Sequence, residues 1–180
     1  MKSKQAVITV LLAASTSFFP GASDAFNQAQ LTQLKATNQC PGCDLSGANL
    51  ANAYMVDANL QGANLQGANL TQAHLSRSVL TSENLSQASL DSANPKNANL
   101  DGASLRGTRM ISTFLGNANL RMAQMRGANM LTADLYEADL SGAFLFEAVL
   151  VMLTQDALIL QRHPTWRSES SWQGSQSRSR

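Results

Sequence analysis

Two cysteines stand at a spacing that could support redox chemistry or metal binding, in the segment Cys40-Pro41-Gly42-Cys43. In an exported protein such a pair is most simply a disulfide. The alternative is a redox motif, because two cysteines at this separation can be catalytic. No βαβ pattern of the thioredoxin type surrounds the pair, which favours a structural disulfide. A zinc site would need four ligands, and the nearest histidine is the distant His74.

Other groups that could do chemistry are few and scattered. His74 is the one histidine between residues 43 and 152, and the carboxylates of that stretch occur singly. The sequence contains no glycine-rich phosphate loop, Walker pattern or zinc-ligand spacing. It therefore predicts a protein that is not an enzyme, needs no cofactor and has no metal site.

A five-residue repeat determines the backbone structure that would position these residues. From Leu45 to Leu150 every fifth residue is Leu or Met, except Pro95. Two positions before each of them, except at Glu83, is a small side chain, usually Ala, as in Ala63-Asn64-Leu65-Gln66-Gly67. A period of five fits neither a strand nor a helix. It fits a chain that turns a corner every five residues and stacks each square coil on the next.

The unbroken Ala-(Asp/Asn)-Leu-x-x pattern from Cys43 to Met152 resembles the pentapeptide-repeat proteins. The resemblance implies an all-β fold, a right-handed quadrilateral parallel β-helix with four repeats in each twenty-residue coil. It also implies that the Leu and the preceding Ala point inward, while the other three positions face solvent. Stacked at a strand spacing of about 4.8 Å, such coils place Leu over Leu and leave no room for a ligand inside.

The N-terminal part of the chain predicts two further segments. Residues 1–25 have the features of a secretory signal peptide, with Lys2 and Lys4 ahead of a short apolar run and small residues before the expected cleavage point. Residues 26–39 predict a capping helix that starts at Asn27 and covers the open end of the solenoid. No other stretch is long enough to cross a bilayer, so we expect no membrane attachment after cleavage.

The β-helix is predicted to occupy residues 40–153. After it, residues 154–164 predict a C-terminal capping helix, which Pro164 ends. Residues 165–180 are rich in Ser, Gln and Arg and predict a disordered tail.

Two residues break the repeat. Glu83 occupies a position for a small residue and Pro95 a position for Leu. Because a buried unpaired carboxylate is costly, we expect a local bulge that turns Glu83 outward and lets Pro95 miss a hydrogen bond of the ladder. The alternative is a binding notch, which is disfavoured because binding residues usually converge in a group.

A candidate interaction surface lies toward the C-terminal half, where the otherwise polar outer positions change character. Two groups of residues on neighbouring faces form it: Arg106, Arg126, Phe144 and Phe146, and then Ile111, Leu131, Val149 and Val151. An exposed apolar strip often marks a contact surface, although the C-terminal segment could equally cover this one. The arginine pair is typical of a solvated face, with an anion site as the alternative.

The predicted function is that of a non-enzymatic scaffold in an exported compartment, binding a protein partner through the outer faces of the β-helix. The resemblance implies this class, because most pentapeptide-repeat proteins have no known activity. Exported members with Cys-x-x-Cys just before the first repeats resemble those of the cyanobacterial periplasm and the thylakoid lumen. The partner is not identified by the sequence, and a homodimer through the C-terminal coils is a further possibility.

Two alternative functions compete with this one. Some pentapeptide-repeat proteins mimic B-DNA and inhibit type II topoisomerases, a function that needs an acidic, cytoplasmic rod. Here residues 43–152 carry nine acidic and six basic residues, a balance of −3, and the whole chain has a net charge of +1. These values also argue against nucleic-acid binding. The second alternative is a thiol–disulfide role for Cys40 and Cys43.

Overall fold

The structure, a computed structural model, describes residues 27–151, except for the side chain of Val151. The predicted signal peptide (1–25), C-terminal helix (154–164) and tail (165–180) lie outside the described residues. The regular elements are helix α1 (Gln28–Thr37), strand β1 (Asn129–Leu131) and strand β2 (Val149–Val151). Within residues 27–151 no helix combines the length and the apolar character needed to span a membrane.

Helix α1 lies against the first coil. Asn27 caps its N-terminus, and the two apolar residues of the predicted face, Leu31 and Leu34, are buried in the common core. The backbone N–H of Asn27 donates to the carbonyl of Asp44 (3.0 Å), and the N–H of Asp44 donates to Oε1 of Gln30 (2.7 Å). These bonds satisfy polar groups at the edge of the first coil that would otherwise be open to other chains.

Each side of the coil is a turn followed by a single extended residue. The residue two places after each Leu has a positive φ throughout, from Gly42 to Glu147. The N–H of the next, small residue donates to the carbonyl of the Leu three places before it, as from Ala63 to Leu60 (2.9 Å). A positive φ at the third residue of a turn is the feature of a type II turn. The chain therefore changes direction at every fifth residue.

Stacking of the coils follows a register of twenty residues. Asn84 forms parallel bridges with Asn64 in one neighbouring coil and with Ser104 in the other. Leu65 donates its N–H to the carbonyl of Asn84 (2.8 Å), and Asn84 donates to the carbonyl of Ala63 (3.1 Å). Strands β1 and β2 extend the same pairing to three residues. Four five-residue sides therefore make one coil, as the resemblance implies.

The core is a filled column of aliphatic side chains. The Leu, Met and Ala residues of the two inward positions are almost all buried, and they form one continuous cluster with Leu31 and Leu34 of α1. Four polar residues occupy small inward positions and are also buried: Ser78, Glu83, Thr108 and Thr113. The three hydroxyls among them donate to backbone carbonyls, those of Leu75, Leu85 and Leu90 respectively.

The bulge expected at Glu83 is wrong. Ser82 keeps the left-handed φ of the ordinary turn, and Asn84 keeps its bridges on both sides. Glu83 therefore points inward with 1% of its surface exposed. The ladder hydrogen bonds before and after Glu83 fix the direction of its side chain, since turning it outward would shift the register of the coil.

Pro95 fits the Leu column but interrupts the ladder. It is buried, and Ala98 donates to its carbonyl in the usual turn bond (3.0 Å). Having no N–H, it cannot make the bond to the next coil that Leu residues make at this position. The bridge from Asn94 to Phe114 is absent, although Phe114 bridges onward to Asp134. This part of the expectation, a missing ladder bond at Pro95, is confirmed.

Candidate interaction surface

The first group of surface residues forms a column along one face. Arg106, Arg126 and Phe146 follow each other at intervals of one coil, and all three are exposed. The guanidinium carbon of Arg126 lies 5.1 Å from the ring centroid of Phe146, within the range of a cation–π contact. Nε of Arg126 is also 3.3 Å from Oε2 of Glu147. Arg126 is therefore held by its neighbours, and the two arginines do not act as a matched pair.

The second group lies on the next face, where β1 and β2 are paired. Their register places Leu131 beside Val151 and Asn129 beside Val149. Ile111 begins the same column as Leu131 but is half-buried, and its N–H donates to Oδ1 of Asp91 (3.0 Å).

The two groups meet at the corner formed by Glu147 and Ala148. Four apolar side chains on these two neighbouring faces are substantially exposed: Leu131 (37%), Phe144 (49%), Phe146 (60%) and Val149 (48%). We call these four residues the C-terminal apolar surface. Exposed apolar side chains that cluster in this way are typical of contact sites. Among the described residues, Arg106 forms no ion pair. The side chain of Val151, which was also predicted to belong to the surface, lies outside the described part of the structure.

One exposed apolar residue, Met122, was not predicted from the sequence. Met122 occupies a corner position with φ of 55° and is 54% exposed. Its side chain lies over Gly142 in the next coil, where an added Cβ would collide with the sulfur of Met122. A glycine one coil after a large residue in the same column was the signal that could have identified this contact.

A ladder of polar side chains runs along part of the rod outside the C-terminal apolar surface. Asn84 donates its side-chain N–H to Oδ1 of Asn64 (3.2 Å), and Asn64 donates to Oδ1 of Asp44 (3.1 Å). Oδ1 of Asn64 also accepts the backbone N–H of Gln66 (3.2 Å). Much of the hydrogen-bonding capacity of these amides is therefore used within the rod.

Several surface charges are paired between coils. The ion pairs in the described residues join Arg77 to Asp57 (2.7 Å), Arg109 to Asp91 (2.5 Å), Arg121 to Asp139 (3.6 Å) and Arg126 to Glu147 (3.3 Å). The hydrogen bond from Arg77 lowers the pKa of the Asp57 carboxyl from its usual value. Exposed pairs of this kind add little stability, but they neutralise four of the nine carboxylates of the repeat region. These four ion pairs reduce the negative charge on the surface of the described residues.

The two cysteines lie inside the first coil. Cys40 takes a Leu position and Cys43 a small-residue position, and both are buried. Their Cα atoms are 5.4 Å apart and their sulfur atoms form a close pair. Gly42 supplies the left-handed residue of the turn between them (φ 66°). A nucleophilic thiolate needs solvent access, and neither sulfur has it.

We expect the cysteines to resist alkylation until they are reduced. The protein is purified under oxidising conditions, unfolded in denaturant without reductant and treated with iodoacetamide. Its mass should not increase, because a disulfide offers no thiolate to the reagent. After reduction it should gain two adducts, whereas a Cys40→Ser, Cys43→Ser variant should gain none in either case. Two adducts before reduction would contradict the predicted disulfide.

The geometry defines a class of protein, a four-sided parallel β-solenoid with a filled interior. The sequence profile of pentapeptide repeats matches eight copies in this chain, over residues 42–81, 84–116 and 115–150. The chain belongs to the pentapeptide-repeat family. Members of this family fold as right-handed quadrilateral β-helices. The matched segments leave out residues 82 and 83, where the buried carboxyl interrupts the pattern.

Several solved structures are similar to this chain. A pentapeptide repeat protein, Rfr23, from the cyanobacterium Cyanothece 51142 is 28% identical, with 67% of this chain and 97% of that chain covered and a TM-score of 0.37. A pentapeptide repeat protein from the Arabidopsis thaliana thylakoid lumen is 24% identical, covering 69% and 76%, with a TM-score of 0.36. HetL from Nostoc, involved in heterocyst differentiation regulation, is 31% identical, covering 62% and 59%, with a TM-score of 0.25. No curated protein matches the sequence.

Proposed function

We propose that this protein is a non-enzymatic scaffold that binds a protein partner through the C-terminal apolar surface. The observation that carries the proposal is the exposure of Leu131, Phe144, Phe146 and Val149 on two neighbouring faces of the rod. Aromatic side chains are enriched in protein–protein interfaces and supply large contact areas. By contrast, many amides elsewhere on the rod are hydrogen-bonded to one another in polar ladders.

The proposed compartment is an exported one, the periplasm or the thylakoid lumen. The support comes from the sequence: Lys2 and Lys4 precede a short apolar run, and small residues precede the expected cleavage point after Ala25. The paired cysteines agree with an oxidising environment. Fractionation of cells that express the chain with a C-terminal tag tests this proposal. Recovery of an uncleaved protein from the cytoplasm would contradict it.

Other functions have less support. Inhibition of a topoisomerase by DNA mimicry needs a negative surface, whereas four carboxylates of the rod are paired with arginines. A thiol–disulfide role needs accessible sulfur, whereas Cys40 and Cys43 are buried. A homodimer through the C-terminal coils uses the same apolar surface as a different partner would, so the two can be separated by experiment.

Charge introduced into the C-terminal apolar surface should abolish binding. In the complex, a Leu131→Asp, Phe146→Asp variant would bury two unpaired carboxylates. One such charge typically costs about 3 kcal/mol or more. We therefore expect the affinity for the partner to fall more than a hundredfold. Cross-linking and pull-down from the exported fraction, followed by titration with the purified partner, measure this loss. Tyr54→Asp is the matched control, because Tyr54 is 75% exposed at the other end of the rod.

The outcomes are distinct. Loss of one captured protein with the double variant, but not with Tyr54→Asp, supports the proposed surface. Sedimentation of the purified chain alone then distinguishes the partners: a dimer that the double variant breaks identifies a second copy as the occupant. Equal capture by all three proteins, together with a monomer throughout, would refute the proposal.

A further inference from the structure

Glu83 is buried in the middle of the rod without a polar partner. Its column continues through Ala63 in the coil before and Ala103 in the coil after, so it stands where the other coils have room for a methyl group. Neither carboxyl oxygen makes a hydrogen bond. Native structures rarely leave a buried polar group unsatisfied, so such a group points to strain or to a switch.

The turn at Glu83 also lacks a backbone hydrogen bond. From Cys43 to Ala148, every residue at the small inward position donates its N–H to the carbonyl three places before it, except Glu83. Thr108 and Thr113, also larger than Ala, keep this bond at 3.3 Å, while Ala63 has it at 2.9 Å. The carbonyl of Leu80 therefore lacks the turn bond that closes the other sides of the solenoid.

The same coil has a second weak point at Pro95. The bridge from Asn94 to the following coil is absent, and Pro95 has no N–H for the ladder. One layer of the rod thus lacks both a turn bond and a ladder bond. Local opening is expected where backbone hydrogen bonds are fewest.

No charged group faces Glu83 from the described coils packed around it. Its inward neighbours are aliphatic apart from the hydroxyls of Ser78, Thr108 and Thr113, which donate to other carbonyls. The titratable side chains of the same coil and the two adjacent coils lie on the outer surface: Asp91, Lys96, His74, Arg77, Asp101, Arg106 and Arg109. Burial alone accordingly raises the pKa of the Glu83 carboxyl well above its usual value.

We propose that the coil around Glu83 is a proton-dependent latch, which stays closed while the carboxyl is neutral and opens locally when the carboxyl ionises. Only the neutral form has an O–H that could donate to a backbone carbonyl, as the hydroxyl of Ser78 does to Leu75 (2.7 Å). The ionised form would be a buried charge with no partner. This inference is independent of the proposed binding function.

The direction of the pH dependence follows from proton linkage. In the opened coil the Glu83 carboxyl has an ordinary pKa of about 4.3 and loses its proton above that pH. In the closed coil the raised pKa keeps the carboxyl protonated to a higher pH. Between these two pKa values opening releases one proton, so a rise in pH favours the open state. The opening constant should rise about tenfold per pH unit in this window and level off above the raised pKa.

Amide hydrogen exchange of the full chain tests the latch. The N–H groups of Leu85 and Ser104 make ladder bonds beside Glu83, to the carbonyls of Ser104 and Glu83 (2.8 Å each). After correction for intrinsic exchange, we expect their protection to fall about tenfold per pH unit above about pH 4.3. Protection of Met125, whose N–H donates to the carbonyl of Phe144 farther along the rod, should change far less.

Substitutions separate the latch from a general effect of pH. Glu83→Gln cannot ionise and should remove the pH dependence at Leu85 and Ser104, and Glu83→Ala should do the same if the Gln variant does not fold. Asp101→Asn, at an exposed carboxyl one coil away, should leave the dependence intact. Identical profiles in the wild type and the Glu83 variant that folds would overturn the proposal. So would a parallel loss of protection at Met125, which would indicate global unfolding.

Discussion

Replacing Glu83 by Ala should raise the free energy of unfolding at neutral pH by about 1–3 kcal/mol, which is the usual cost of a buried polar group without a partner. Ala is the residue found one coil before and one coil after, at Ala63 and Ala103. The substitution should also restore the missing turn bond to the carbonyl of Leu80. It would be an unusual result, because most substitutions of buried residues destabilise a protein. Denaturant unfolding followed by circular dichroism measures the change.

The stabilisation should depend on pH in a defined direction. The wild type loses stability as the pH rises from the ordinary glutamate pKa toward the raised pKa of Glu83, whereas the Ala variant has no such group. The difference between the two proteins should therefore increase with pH in that window. Glu137→Ala is the matched control, since Glu137 is exposed and a surface substitution usually changes stability by less than about 0.5 kcal/mol. A Glu83→Ala variant less stable than the wild type would mean that the carboxyl has a stabilising partner.

Replacing Leu100 by Ala should lower the free energy of unfolding by about 2–5 kcal/mol, the range for truncating a buried Leu. Leu100 is buried midway along the column that includes Leu80 and Leu120. Its neighbours cannot collapse into the cavity, because their positions are fixed by ladder bonds such as that from the Leu100 N–H to the carbonyl of Asn119 (2.7 Å). Chemical denaturation of the purified protein checks the loss.

Two comparison variants give this prediction its scale. Leu145→Ala should cost less than Leu100→Ala, because Leu145 is only partly buried in the last described coil. Gln66→Ala, at an exposed position, should stay within about 0.5 kcal/mol of the wild type. Equal losses at positions 100 and 145 would contradict the view that the centre of the rod is more tightly packed than its described end.

The alignment of residues along the outer columns was predictable once the coil length was known. Residues twenty apart share a column once the coil is known, so the alignment of Arg106, Arg126 and Phe146 follows from the sequence. The spacing did not reveal that Ile111 is half-buried or that Arg126 is held by Phe146 and Glu147. Those features depend on how long side chains pack between coils, which periodicity does not encode.

The sequence by itself determined the square coil and its inward columns, because a five-residue period repeated in phase fits few other backbones. Only the tertiary structure decided the direction of Glu83. A local rule, that carboxylates avoid the interior, predicted a bulge. Ladder hydrogen bonds on both sides of Glu83 instead keep the twenty-residue register, so the carboxyl is carried inward and left without a partner.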